Sequence, residues 1–185
     1  LSWTILRPGL IHGKESGFMT LAKGWVTGEK APWVFLPYFS RGVLTSDVPL
    51  AAIRREAATL APVAVEDVAW AVAECLKRSA ESTGEIYNLV GSEELSWPDL
   101  LRTIRDNVPG ANLDLEPLGV PAEIAAKQAM VARAIGLGGL LPFDEGLALM
   151  GGADATANLD KAREQLAFNP RPFTATLKTY ASRLA

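Results

Sequence analysis

The chain has 185 residues, 49% of them hydrophobic and 21% charged, enough length and apolar content to bury a core as one domain or a large part of one. Eighteen Lys and Arg stand against 21 Asp and Glu, a net charge of −3 with the basic residues scattered, which excludes the cationic footprint of a nucleic-acid or anionic-lipid binder. The single cysteine, Cys75, excludes an intrachain disulfide, and with the single histidine, His12, it cannot assemble a zinc site of the usual ligands.

In chain order, Ser2 to Arg7 is rich in β-branched and apolar residues and stops at Pro8-Gly9, the pattern of a buried strand running into a loop. From Ile11 to Arg41 the sequence is dense in Gly, Pro and aromatics. It predicts a long excursion with a short helix near Phe18 to Val26, of the kind that shapes a pocket. Pro62 to Val65 leads into Glu66-Asp67 and a helix in which Val68, Val72 and Leu76 recur at i, i+4 and i+8. Gly84 breaks the chain, and Glu85 to Gly91 reads as a strand. Ser96-Trp97-Pro98-Asp99 has the form of a capping box opening a helix with Leu100, Leu101, Ile104 and Val108 inward. Pro109-Gly110 ends it. Leu113 to Glu116 alternates like a half-exposed strand, and Val120, Ile124, Val131 and Ile135 fit a helix entered at Pro121 and closed by Gly136 to Gly139. Leu159, Ala162 and Leu166 mark a further helix. Phe173, Leu177, Tyr180 or Ala181, and Leu184 mark the last one. The order of elements is that of an α/β fold with extra terminal helices, read as one domain.

The most apolar stretch, Ile135 to Phe143, has about half the length needed to span a bilayer. Neither a glycine turn at a strand-to-helix junction nor a phosphate loop occurs, and Gly136-Leu137-Gly138-Gly139 reads as a helix stop. Nothing near His12 supplies the elbow a nucleophilic triad needs. His12 itself reads as a structural hydrogen-bonded side chain ahead of a pocket residue, and Cys75 as a packing residue inside an apolar helix. Glu66 and Asp67 point apart from adjacent positions in a first helical turn, so capping is favoured over an acid/base pair. Trp25, Trp33, Phe35, Tyr38 and Phe39 either fill core and oligomer contacts or line an apolar ligand site.

Five segments in order carry a resemblance. Thr4 to Gly13, Pro62 to Ala69, Gly84 to Gly91, Ser96 to Leu100 and Ala162 to Pro170 resemble successive motifs of the extended and atypical short-chain dehydrogenase/reductases, the NAD-dependent epimerase/dehydratase superfamily. The run Leu113 to Ala126 is most like the atypical branch that includes the NADPH-binding accessory subunit of respiratory complex I. In that family the glycine-rich turn and the Tyr-x-x-x-Lys pair precede the Arg-Pro strand. Neither is present here, so the resemblance implies no catalytic residue in this chain. It implies the carboxy-terminal part of a Rossmann-like NAD(P)-binding fold with its small substrate-binding subdomain, the first dinucleotide-binding half being absent. Sheet remnants are then expected at 1–10 and 62–91, and a substrate or cap subdomain at 11–61 and 92–185.

The resemblance further implies that Pro8, Gly9 and Leu10 face the nicotinamide end of NAD or NADP held by the longer parent, and that His12, Trp25 and Trp33 bind substrate. That substrate is a nucleotide-sugar or another small carbonyl or hydroxyl compound. The expected partners are the missing amino-terminal half and a possible second copy of the chain, with no nucleic acid and no membrane span, in the cytoplasm. The parent is then an oxidoreductase or epimerase; a catalytically silent NAD(P)H-binding scaffold and an isolated interaction module stay open beside it. Ala167 stands where the family's helix ends on glycine, which implies a cap built differently here.

Overall fold

The computed structural model describes residues 2–44, 53–136 and 143–184. Its organising pair is parallel: β1 (Ile5–Pro8) runs beside β7 (Ile86–Leu89), with Ile5 opposite Ile86 and Pro8 opposite Leu89. Two short strands extend the same layout, β2 (Ile11–His12) parallel to β6 (Val63–Ala64). A second, three-stranded sheet has β3 (Leu36–Leu44) at its centre, antiparallel to β4 (Ile53–Ala57) and parallel to β9 (Pro117–Pro121). β5 (Thr59–Leu60) pairs antiparallel with β8 (Leu95–Ser96).

Three apolar clusters hold the helices. The first gathers α1 (Gly17–Val26), α4 (Trp97–Asn107) and α8 (Phe173–Tyr180) through Met19, Ala22 and Val26, then Leu100, Leu101 and Ile104, then Phe173 and Leu177. The second packs α2 (Val65–Lys77) and α7 (Asp160–Leu166) on β7 through Ala71, Cys75, Tyr87, Leu89, Ala162, Leu166 and Phe168. The third is small, with α5 (Ala122–Ala134) and α6 (Glu145–Gly151) meeting through Ala125, Ala126 and Ala148. A one-turn helix, α3 (Ser79–Ser82), links α2 to β7, and a 3-10 turn at Ala181–Arg183 follows α8. Among the described residues no helix is long and apolar enough to cross a membrane.

Several local signals act as their chemistry dictates. The Ser96 hydroxyl accepts from the Asp99 backbone N–H at 3.3 Å and donates to the Asp99 carboxylate at 2.6 Å, closing the first turn of α4. Gly91 ends the β7 segment against the Pro62 carbonyl: a Cβ there would lie 2.0 Å from that oxygen, so only glycine lets the two backbones approach. Ala167 takes the left-handed conformation, φ 59° and ψ 32°, and its helix ends as a glycine cap would, at a steric cost to alanine. The expectation of a differently built cap is corrected.

Other expectations change as well. The Ser2 to Arg7 segment is not a buried strand. β1 begins at Ile5 and, among the described residues, pairs on one side only, which leaves Ile5 43% and Trp3 48% exposed. The inward face of α2 is Ala71, Glu74 and Cys75, while Val72 and Leu76 sit beside Trp3 on an open apolar surface. Leu113 to Glu116 is a turn, because the Asn112 side chain accepts from the Asp114 N–H at 3.0 Å and pre-empts a ladder. The strand is instead Pro117–Pro121, whose prolines are tolerated because it lies at a sheet edge. α5 packs with its alanines, leaving Ile124, Val131 and Ile135 exposed. The aromatic run read as loop contains β3, and α6 was not foreseen. The segment Leu137 to Gly139 of the expected helix stop lies outside the described residues, while Gly136 takes φ +79°.

Candidate functional site

The carboxyl ends of β1 and β7 lie side by side, the position where open α/β sheets place their ligands. Pro8 closes β1, the Gly9 N–H donates to the Leu89 carbonyl at 2.9 Å, and the Leu10 carbonyl accepts from the Val63 N–H at 2.9 Å. Pro8 is exposed, and Gly9 and Leu10 are half-buried. Leu10 packs on the first core together with Phe18, Trp25, Tyr38 and Trp97, which ties the end of β1 to an aromatic cleft.

That cleft has a volume of about 190 Å³. α1 contributes Phe18, Leu21 and Trp25, at i, i+3 and i+7, so they share a face next to the core-facing Met19, Ala22 and Val26. β3 supplies Pro37, Tyr38 and Phe39, β9 supplies Val120, and the start of α4 supplies Trp97. Phe143, Leu147 and Gly151 close it from the α6 side. The rings are held edge to face, Phe18 on Trp97 at 5.7 Å and Phe39 on Phe143 at 5.1 Å between centroids. The Trp97 indole N–H donates to the Gly151 carbonyl at 2.8 Å, and a Cβ on Gly151 would come within 2.6 Å of the Phe39 ring. Among the described residues the lining carries no charged side chain. A wider groove of about 770 Å³ between α5 and α6 is walled by Arg133, Asp144 and Glu145.

His12 sits apart from the cleft lining. It has no solvent exposure, its Nδ1 lies 2.8 Å from the Tyr180 hydroxyl and its Nε2 3.5 Å from that of Thr176, and it meets Phe173 edge to face at 4.8 Å. The Thr176 hydroxyl proton goes to the Pro172 and Phe173 carbonyls, both at 3.0 Å, so its oxygen is left to accept from Nε2–H. Nδ1 is then the acceptor and Tyr180 the donor. Burial holds His12 neutral, pushing its pKa down from 6.5 to about 4, with Glu66 and Asp67 pulling weakly the other way. Burial likewise raises the Tyr180 phenol.

Of the aromatics singled out in the sequence, Trp25, Tyr38 and Phe39 meet in the cleft. Trp33 lies outside it, 65% exposed in the turn before β3. Phe18 and Leu21 belong to the excursion expected to shape a pocket, and the segment around Phe143 was likewise expected to help decide what is bound; Trp97 and Leu147 went unread as site residues, although the i, i+4 spacing of Phe143 and Leu147 was an available signal. Cys75 is buried, and burial pushes its thiol up. Glu66 and Asp67 do not cap α2 with their side chains. Asp67 accepts from the Arg171 Nε at 2.8 Å and backbone N–H at 2.9 Å, with Glu66 3.4 Å from the same guanidinium, tying α2 to the segment before α8.

Comparison with family models and with curated protein sequences yields no match. Solved structures do match. A UDP-glucose 4-epimerase from Thermotoga maritima with UDP-glucose superposes with a TM-score of 0.56 at 15% identity, covering 99% of this chain and 45% of that one. A UDP-glucuronic acid 4-epimerase from Bacillus cereus in complex with UDP-glucuronic acid and NAD gives 0.56 at 16%, covering 97% and 43%. A dTDP-glucose 4,6-dehydratase from Bacillus anthracis in complex with NAD gives 0.55 at 16%, covering 95% and 42%. The chain therefore spans less than half the length of each of these proteins. At such identities the likeness establishes architecture alone: this is a mixed α/β chain whose fold matches part of these Rossmann-like structures.

Proposed function

We propose that the chain is the carboxy-terminal, substrate-side portion of an NAD(P)-dependent epimerase, dehydratase or reductase-like protein acting on a nucleotide-sugar or another small carbonyl or hydroxyl substrate. The observation that carries this reading is β1: among the described residues its edge away from β7 has no partner, and exposed Trp3, Ile5, Val72 and Leu76 lie around it. An unpaired strand edge beside exposed apolar side chains is a surface for further strands and a helix. The missing amino-terminal half is the occupant this reading assigns to it.

The residues present fit one end of the cofactor only. Pro8, Gly9 and Leu10 lie at the carboxyl end of β1, where this reading puts the nicotinamide ring, although the Cβ position of Gly9 itself is filled by Val90 and the Ala61 and Ala155 carbonyls; the sequence has no glycine-rich turn at a strand-to-helix junction for the pyrophosphate. Nicotinamide, when bound, supplies hydride exchange. This chain's part is to shape and dry the cavity over it. Trp25 contacts the substrate from α1, Trp33 stands at the outer surface of the same excursion, and the fully covered His12 contributes by fixing β2 to α8.

The test is calorimetry of the chain alone with NADPH, where no measurable binding is expected and micromolar affinity refutes the division into halves. The coding sequence upstream of Leu1 separates the variants of the reading. A glycine turn with a Tyr-x-x-x-Lys pair supports an enzyme, and a glycine turn without the pair supports a silent NAD(P)H-binding scaffold. The exposed Ile124, Val131 and Ile135 on α5 favour the scaffold as the second reading, since an assembly surface uses such a face. That reading expects self-association or partner capture through α5, and a chain that stays monomeric at high concentration in size-exclusion chromatography disfavours the self-association form.

A further inference from the structure

We infer that the cleft between α1, β3 and α6 binds a single aryl group and rejects a sugar ring, so that the substrate of the proposed enzyme carries an aromatic ring. The inference rests on the proposed substrate-side role for the identity of the whole substrate. Aryl binding itself is a property of the cleft alone.

Size, lining and polarity agree. A cavity of roughly 150 Å³ walled by Leu, Ile and Phe stays dry and holds a benzene ring, and this cleft, at about 190 Å³, admits one ring with a small substituent. Its walls include Phe18, Trp25, Tyr38, Phe39, Trp97 and Phe143, which present both faces and edges to a guest ring. A hexose of similar size would bring a hydroxyl on nearly every carbon, and each needs a donor or acceptor once it leaves water. The lining offers little. The Trp97 indole N–H is taken by the Gly151 carbonyl, and among the described residues the remaining side-chain polar atoms are the Tyr38 hydroxyl and the Trp25 indole N–H. Among the described residues no side-chain carboxylate, amide or guanidinium enters the wall. Two polar atoms suffice to orient one substituent on a ring, and leave the hydroxyls of a sugar unpaired. The cleft is also fixed in shape, because glycine at 151 lets the Phe39 ring lie against the α6 backbone.

The experiment is a ¹H–¹⁵N titration of the 185-residue chain with benzyl alcohol and, separately, with glucose, read at the indole N–H resonances of Trp25 and Trp97. Benzyl alcohol is expected to shift both saturably with a dissociation constant of about 1 mM or tighter. Glucose at the same concentrations is expected to leave them in place. Leu147→Trp, at a rim position 53% exposed, fills the mouth without disturbing a packed core and is expected to weaken benzyl alcohol binding about tenfold or more. Leu113→Ser, exposed and outside the cleft, is expected to bind as the parent chain does. Glucose moving the same resonances, no saturable shift with benzyl alcohol, or unchanged binding by Leu147→Trp would each overturn the inference. The NADPH calorimetry is a separate readout, so a failed aryl site and a failed division into halves are told apart.

Discussion

Protonation of His12 is expected to loosen the joint between β2 and α8, and its cost follows from the interior it occupies. The ring has no solvent exposure, Nδ1 accepts from Tyr180, and burial lowers its pKa to about 4 against 6.5 in an open chain. The charges that bear on it are Glu66 and Asp67 from α2, which favour the imidazolium, and Arg171 before α8, which opposes it. Between pH 6.5 and pH 4 the unfolded chain binds a proton at this site that the folded chain refuses. Stability therefore falls as the pH drops through that window, by up to about 1.4 kcal/mol per pH unit and about 3 kcal/mol in all. Above pH 6.5 both states are neutral at this position and the contribution is complete. The assay is urea unfolding at half-unit steps from pH 7 to pH 4, for the parent chain and for His12→Gln, which keeps an amide near Tyr180 but does not titrate. The carboxylates lose their ion pairs equally in both chains, so the difference between the two stability curves isolates the histidine. Parallel curves, or an NMR titration placing the His12 midpoint near 6.5, would refute the reasoning.

Three further outcomes follow from single backbone and side-chain positions. Ala167→Gly removes a left-handed alanine worth about 1–2 kcal/mol of strain and adds about 0.4–1 kcal/mol of unfolded-chain entropy. A net gain near 0.5–1 kcal/mol is expected in urea unfolding, and a loss would place the strain elsewhere. Gly91→Ala forces a Cβ to within 2.0 Å of the Pro62 carbonyl oxygen and is expected to cost about 3 kcal/mol or more, against the parent's denaturation midpoint. The Cys75 thiol, buried and shifted upward, is expected to react with a disulfide reagent only at the rate of opening, so that labelling accelerates with urea; fast labelling of the native chain would contradict its burial.

What was readable in the sequence depended on how each segment meets its neighbours. The α4 start was legible because Ser96, Pro98 and Asp99 act within one turn, where local chemistry decides the geometry. The terminal helix was legible because Phe173, Leu177 and Tyr180 all point into one core. The faces of α2 and α5 were misread for a common reason. Both helices put small residues, Ala71 in one and Ala122, Ala125, Ala126 and Ala129 in the other, against their neighbours, where close backbone approach replaces large side-chain burial. Periodicity counts the large apolar residues and so selects the opposite stripe, Val72 and Leu76 or Ile124, Val131 and Ile135. The same reasoning explains why those stripes matter. A folded chain that leaves its β-branched and aliphatic residues outside while burying alanine has apolar area to spare, and on the proposed reading the area beside β1, whose edge away from β7 is unpaired among the described residues, is where the amino-terminal half would pack. The cleft was only half legible, since its aromatics come from α1, β3, α4 and the segment before α6, distant in sequence, and only the pairing of β3 with β9 converts a glycine-rich excursion into a walled cavity.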